Sequence, residues 1–145
     1  MEKFRHGQWA VGIPEDWSDA STVALVGPPR DGFSPNITVT VEALDKKCSA
    51  QEYAGQELEK LRGALQGRQY QVHQEGFTEV GEAKAYQRIH SFLPENVNRR
   101  VRQIQVYLIE DGRAVTLTGS DLEEKFEESR DTLSQAIQEF SFTDE

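Results

Sequence analysis

Residues 98–120 are predicted to form one long β-hairpin, the segment that most constrains how this chain can fold. Two alternating runs flank Asp111 and Gly112, a dipeptide that tolerates positive φ and favours a tight turn. Because side chains alternate between the faces of a strand, the hairpin has two chemically different sides. One side is aliphatic, whereas the other carries Gln103, Gln105, Tyr107, Thr116 and Thr118. The aliphatic side can build a core while the polar side binds a ligand, which favours a binding sheet over a catalytic site.

Shorter strands are predicted elsewhere from the same alternation. They cover residues 9–13, 22–26, 36–44, 70–80 and 82–92, and most are bounded by Gly or Pro. Because the later strands follow one another through short connections, we expect them to be antiparallel neighbours.

Two amphipathic helices complete the prediction. Ser49 and Glu52 have the spacing of a capping box, apolar residues then recur at helical spacing, and Gly67 supplies a stop. A terminal helix is predicted to begin at Ser120 or Asp121. Both helices need an apolar surface to cover, and the aliphatic side of the sheet is the natural one.

The order is therefore three strands, a helix, four strands and a helix. This order predicts an α+β fold with a twisted antiparallel β-sheet of about six or seven strands and two main helices. The length of 145 residues is that of a single domain, covering residues 1–145.

Charge and composition exclude several classes of partner. Lys and Arg total 16 against 25 Asp and Glu, which gives a formal charge of −9 and a pI of about 4.9. This balance argues against nucleic acid and against an anionic membrane surface as partners, and we expect no direct insertion into a membrane. The basic cluster at Arg99, Arg100 and Arg102 is more typical of a solvated strand end than of an anion site.

Cys48 is the single cysteine, and the sequence has no apolar run of signal-peptide or transmembrane length. We therefore expect a cytoplasmic protein.

Catalytic and metal-binding motifs are not recognisable in the sequence. No nucleophile elbow or phosphate-binding glycine loop is present. His73 and His90 can meet across adjacent strands, with Glu75 as a third ligand, but this spacing is not a recognised metal motif. We therefore predict a protein that is not an enzyme and has no cofactor and no metal.

An ordered series of segments then resembles a known family. The series comprises Ile13-Pro14-x-x-Trp17, residues 36–41, residues 53–61, residues 102–106 before the Asp111-Gly112 turn, and residues 114–118. It resembles the DcrB-like proteins, and among them most closely the EagR adaptors encoded beside type VI secretion effectors.

The resemblance implies a fold like that of the Mog and PsbP proteins. It also implies a small cytoplasmic homodimer that acts as a chaperone. Such a chaperone shields the N-terminal transmembrane helices of a PAAR-containing effector and helps load it onto the secretion spike. A DcrB-like or PsbP-like scaffold that docks on a folded partner is the alternative.

Helices in lipid associate through small residues and through Ser, Thr, Asn and Gln side chains. The polar side of the predicted sheet has this chemistry. We therefore predict a client-binding surface formed by Thr22, Ala24, Val26, Thr38, Thr40, Gln103, Gln105, Tyr107, Thr116 and Thr118. An ordinary solvated sheet face is the competing interpretation, because Thr has high β propensity.

Overall fold

The computed structural model describes residues 1–17, 22–95 and 97–142. Within these ranges, eight strands and two α-helices are present. The strands are β1 (Glu2–His6), β2 (Trp9–Ile13), β3 (Thr22–Val26), β4 (Asn36–Ala43), β5 (Gln71–Val80), β6 (Ala83–Phe92), β7 (Val101–Glu110) and β8 (Arg113–Leu122). The helices are α1 (Ala50–Ala64) and α2 (Phe126–Gln138), the latter preceded by a 3-10 turn over Glu123–Lys125. The predicted α+β class is confirmed.

Six of the strands form one antiparallel sheet in the order β3-β4-β8-β7-β6-β5, and β1 and β2 form a separate hairpin. The β7–β8 hairpin lies near the centre of the large sheet. Asp111 and Gly112 form its turn with φ values of 51° and 71°, as a turn with positive φ at both central positions requires.

Helix α2 covers the aliphatic face of the sheet. Ile104, Val106, Leu108, Val115 and Leu117 are all buried on this face together with Phe126, Leu133 and Ile137 of α2. Gly119 of β8 lies directly under the helix, where an added Cβ would sit 3.1 Å from Leu133 Cβ and 3.2 Å from Ile104 Cγ2. The absence of a side chain at Gly119 therefore lets α2 approach the sheet closely.

Helix α1 packs on the opposite face, so the expectation that both helices cover the aliphatic side is wrong. Its two buried residues, Tyr53 and Ala54, belong to a second cluster with Tyr86, Tyr107 and Ala114. This contact is aromatic and polar, and the Tyr53 hydroxyl donates to Glu42 Oε1 at 2.6 Å. The aliphatic face is already occupied by α2. The predicted capping box is present, since Ser49 Oγ accepts from the Glu52 amide and the Glu52 carboxylate accepts from the Ser49 amide, each at 3.1 Å.

Two further predictions about the elements were wrong. The terminal helix does not begin at Ser120 or Asp121, because both residues continue β8, where Asp121 pairs with Arg102 of β7. The N-terminal strand has a partner that the sequence pattern did not predict, since β1 pairs with β2 from Glu2↔Ile13 to His6↔Trp9.

Candidate functional site

The ten residues predicted to bind a client all lie on one face of the six-stranded sheet, opposite α2. Directly paired residues share a face in an antiparallel sheet. The cross-strand pairs are Thr22↔Thr40, Ala24↔Thr38 and Val26↔Asn36 between β3 and β4, Thr38↔Thr118 and Thr40↔Thr116 between β4 and β8, and Gln103↔Ser120, Gln105↔Thr118 and Tyr107↔Thr116 between β7 and β8. The alternation in the sequence therefore placed these residues together correctly.

Helix α1 covers part of this face. Tyr107 is 0% exposed and packs against Tyr53 with ring centroids 6.2 Å apart, so it supports α1 and is not available to a client. The side chains nearer the β3 edge are half-buried or exposed. We call this uncovered part the open face, formed by Thr22, Ala24, Val26, Thr38, Thr40 and Thr116.

Gln103 belongs to a hydrogen-bonded chain beside the open face. His90 Nε2 lies 2.8 Å from Gln103 Oε1, and Gln103 Nε2 donates to Ser120 Oγ at 2.9 Å. His90 is buried, and burial lowers its pKa to about 4, so the ring is neutral near pH 7. Because the amide oxygen can only accept, the His90 proton is on Nε2, and Nδ1 accepts from the Tyr70 hydroxyl at 2.8 Å.

A second hydrogen-bonded chain begins at the buried Arg88 and ends at Thr118. Arg88 Nε donates to Glu75 Oε1 at 2.7 Å, and its other nitrogens donate to the Tyr107 hydroxyl at 3.1 Å and to the Ala54 carbonyl oxygen at 2.9 Å. The Tyr107 hydroxyl donates to Gln105 Oε1. The Gln105 amide nitrogen then donates to Thr118 Oγ1 at 3.2 Å. This chain connects the backbone of α1 to the centre of the sheet.

The sequence reasoning missed Arg88 and His90 as structural residues. The opposite charges of Arg88 and Glu75, which lie opposite each other on β6 and β5, could have indicated this ion pair. It also treated both glutamines as free to bind a client, whereas their amides are held within the protein.

The possible histidine metal site is not formed. His73 Nε2 lies 2.6 Å from Ser91 Oγ, whereas His90 contacts Tyr70 and Gln103. His90 and Ser91 are consecutive in a strand and point to opposite faces, so the two histidines diverge. In the part of the chain that the structure describes, no group of three or more His, Cys, Asp or Glu side chains could hold a metal ion.

The basic cluster is engaged in ion pairs. Arg100 and Arg102 both donate to the Glu123 carboxylate, at 2.8 and 2.9 Å, and Arg99 pairs with Glu124. Partial burial raises the pKa of Glu123, but the hydrogen bonds from Arg102 and Arg100 outweigh it and hold the pKa below its ordinary value. The expected solvated strand end is therefore a set of contacts that secures the turn before α2.

Comparison with known proteins identifies the family. The DcrB family model matches residues 10–139. The chain belongs to the DcrB family. A search of curated protein sequences found no match. None of the helices in the described ranges is both long enough and apolar enough to cross a membrane.

Two solved structures show that this DcrB-family chain has a PsbP-like fold. The crystal structure of PA94 from Pseudomonas aeruginosa, a protein of unknown function, is similar with a TM-score of 0.80 and 16% identity, covering 100% of this chain and 99% of that chain. The solution structure of CyanoP, the cyanobacterial PsbP of Synechocystis sp. PCC 6803, is similar with a TM-score of 0.59 and 15% identity, covering 92% and 99%. The predicted Mog/PsbP-like architecture is confirmed at the level of the PsbP-like fold.

Proposed function

We propose that this DcrB-family protein is a noncatalytic adaptor chaperone whose open face binds a hydrophobic helix of a client protein. The observation that carries the proposal is the unequal covering of the sheet. On the aliphatic face, α2 buries the central strands and leaves Val23 and Leu25 of β3 exposed, whereas α1 covers a smaller part of the other face. A strip of small and hydroxyl-bearing residues stays uncovered beside β3.

The chemistry of this strip suits a transmembrane helix held outside a membrane. Ala24 allows close approach of a helix, and the threonines offer both methyl groups and hydroxyls. Helices in lipid use these residue types to pack together. Since Gln103 and Gln105 are engaged within the sheet, polar contacts to the client come mainly from Thr22, Thr38 and Thr40.

The class of client is proposed from the resemblance to the EagR adaptors. It is an effector of a type VI secretion system that carries N-terminal hydrophobic helices and a PAAR domain. The adaptor shields these helices in the cytoplasm and aids loading of the effector onto the secretion spike. In this proposal the adaptor is a homodimer.

Co-expression with a candidate effector tests the proposal. Thr38→Asp places a charge on the open face, and Gln135→Asp places the same charge on the exposed side of α2 as a matched control. We expect Thr38→Asp to reduce the copurified effector at least tenfold at unchanged adaptor yield and helical content, and Gln135→Asp to retain it. Undiminished copurification with Thr38→Asp would contradict the assigned face.

A second candidate is a PsbP-like scaffold that docks on a folded partner through its loops. The observation that favours it is the modest apolarity of the open face, where threonines outnumber aliphatic residues. Deleting the hydrophobic helices from the effector distinguishes the two candidates. Chaperone binding is lost with the helices, whereas docking on a folded domain persists.

A further inference from the structure

The two edges of the six-stranded sheet are built differently. At the β5 edge, a register shift between Val72 and Gln74 interrupts the pairing with β6, and the strand carries Glu75 and Glu79. Bulges and charges of this kind block the addition of further strands. The β5 edge is therefore protected against pairing with another chain.

The β3 edge has none of these features. Its residues Thr22–Val26 include no charge, no proline and no glycine, and they pair with β4 without a register shift. Leu25 is 60% exposed and Val26 is 67% exposed. An apolar edge with regular backbone geometry can pair with another strand. The β3 edge is therefore suited to pairing with a strand of another chain.

The sequence of β3 is complementary to itself. A two-fold axis relates the two identical strands in an antiparallel pair, and opposite residues must lie on the same face of the sheet. Because side chains alternate between faces, opposite residues must then both have even numbers or both have odd numbers. The register centred on Ala24 uses the full strand. It places Thr22 opposite Val26, Val23 opposite Leu25, and Ala24 opposite its own copy, so no pair includes a charge.

An apolar recess lies beside this edge on the face of α2. It has a volume of about 460 Å³, and its lining includes Leu25, Pro28, Pro35, Ile37 and Leu133. In the register centred on Ala24, Val23 of a second copy would stand next to Leu25 at this recess. The second strand would therefore bury apolar surface on this face as well as extend the hydrogen-bonded ladder.

Charge also favours a second copy at this position. Each chain carries a formal charge of −9, so two copies repel over most of their surface. Between residues 22 and 41, however, the sequence contains only Arg30 and Asp31 as charged residues. Two copies thus approach with the least repulsion along β3 and the adjoining segment.

We propose that β3 pairs antiparallel with β3 of a second copy, centred on Ala24. The pairing joins two six-stranded sheets into one continuous sheet and places the two open faces side by side on the same surface. This pairing would be the interface of the homodimer in the proposed function. The proposed pairing itself does not depend on client binding.

Cysteine cross-linking tests the register. In a Cys48→Ser background, Ala24→Cys places two cysteines directly opposite each other. Their Cα atoms are then about 4.5–5.5 Å apart, within the range of a disulfide. Val23→Cys is the matched control, because like residues are then diagonal at about 7–8 Å. We expect mild oxidation to convert most of the Ala24→Cys protein, and little of the Val23→Cys protein, to a disulfide-linked dimer. Equal cross-linking of the two variants, or none at position 24, would overturn the proposed pairing.

The oligomeric state tests the interface independently. Leu25→Lys charges the β3 edge, and Phe77→Lys charges an apolar site on β5 that is also largely exposed. By sedimentation at micromolar concentration, we expect the parent protein and Phe77→Lys to be dimers and Leu25→Lys to be a monomer. A monomeric parent protein, or a dimeric Leu25→Lys, would overturn the proposal. Loss of client binding in Thr38→Asp concerns the open face alone, so failures of the two proposals are distinguishable.

Discussion

At the residue scale, Gln103 stabilises the fold through two buried partners. Gln103→Leu would leave His90 Nε2 and Ser120 Oγ without their hydrogen bonds, and an unsatisfied buried polar group costs about 1–3 kcal/mol. We therefore expect the free energy of unfolding to fall by about 1–3 kcal/mol. Gln74→Leu, at an exposed position of β5, is the control and should change it by less than about 0.5 kcal/mol. Equal stabilities of the two variants in urea denaturation would show that the hydrogen bonds of Gln103 do not contribute to the stability of the fold.

His90 gives the protein a dependence of stability on pH. Its pKa is about 4 in the folded protein, against an ordinary value of 6.5, so below pH 6.5 the unfolded chain binds a proton that the folded protein does not. Stability contributed by the neutral ring is therefore full above pH 6.5 and is lost as the pH falls towards 4. From pH 7.5 to 4.5 this loss is about 2–3 kcal/mol.

His90→Gln removes this titration. Over the same pH interval, we expect its free energy of unfolding to fall about 2–3 kcal/mol less than that of the parent protein. All other titrating groups, including His73, are retained in both proteins, so the difference in slope reports His90. If the free energies of unfolding of the two proteins changed with pH in parallel, the His90 ring would have the same pKa in the folded and the unfolded protein.

The candidate site was predictable only in part, for a physical reason visible at single residues. Which face Thr38 or Gln105 occupies follows from strand alternation, a local property of the sequence. Whether a helix then covers that face is a tertiary property. Tyr107 and Thr116 are cross-strand partners, yet Tyr107 is fully buried and Thr116 is only half-buried. The sequence pattern does not distinguish them.

At the element scale, the close approach of α2 to the sheet depends on Gly119. Gly119→Ala would bring the new Cβ to 3.1 Å from Leu133 Cβ, which forces the helix outward. Overpacking of this kind typically costs about 1–3 kcal/mol. Gly76→Ala in β5 is the matched control, because a Cβ there would have no heavy atom within 4 Å. We expect thermal unfolding to show a lower midpoint for Gly119→Ala and an unchanged or higher one for Gly76→Ala. The reverse order would contradict the packing described for α2.

The elements that were predicted correctly are those with local signals. The capping box at Ser49 and the Asp111-Gly112 turn both formed as expected. The start of α2 was misplaced because Leu122 and Phe126 have helical spacing, although Leu122 is still paired with Val101 in the sheet. Strand β1 was missed because its sequence, EKFRH, is mostly charged and has no alternating apolar residues.

At the scale of the whole molecule, the two faces of the sheet perform different tasks. The face under α2 holds the main core, in which Leu117 is buried, whereas the face under α1 combines a small aromatic cluster with hydrogen-bonded chains and the open strip. Under the proposed function, a client would replace solvent on the open face without disturbing the main core. The DcrB family match and the PsbP-like fold account for the architecture, and the open face is the feature from which function is proposed.

The β1–β2 hairpin is expected to be the least stable part of the molecule. It forms its own two-stranded sheet and, among the residues that the structure describes, makes no extensive contact with the six-stranded sheet or with α1 or α2. An isolated two-stranded hairpin is only marginally stable in water. By contrast, β7 and β8 are paired on both sides and largely buried. Because local opening needs less free energy where few apolar contacts are broken, we expect hydrogen exchange at β1 and β2 to be complete well before exchange at β7 and β8. The measurement is hydrogen exchange followed by mass spectrometry on the Leu25→Lys protein, in which β3 pairing is expected to be absent. Equal protection of the hairpin and the central strands would show that the hairpin docks on the domain in solution.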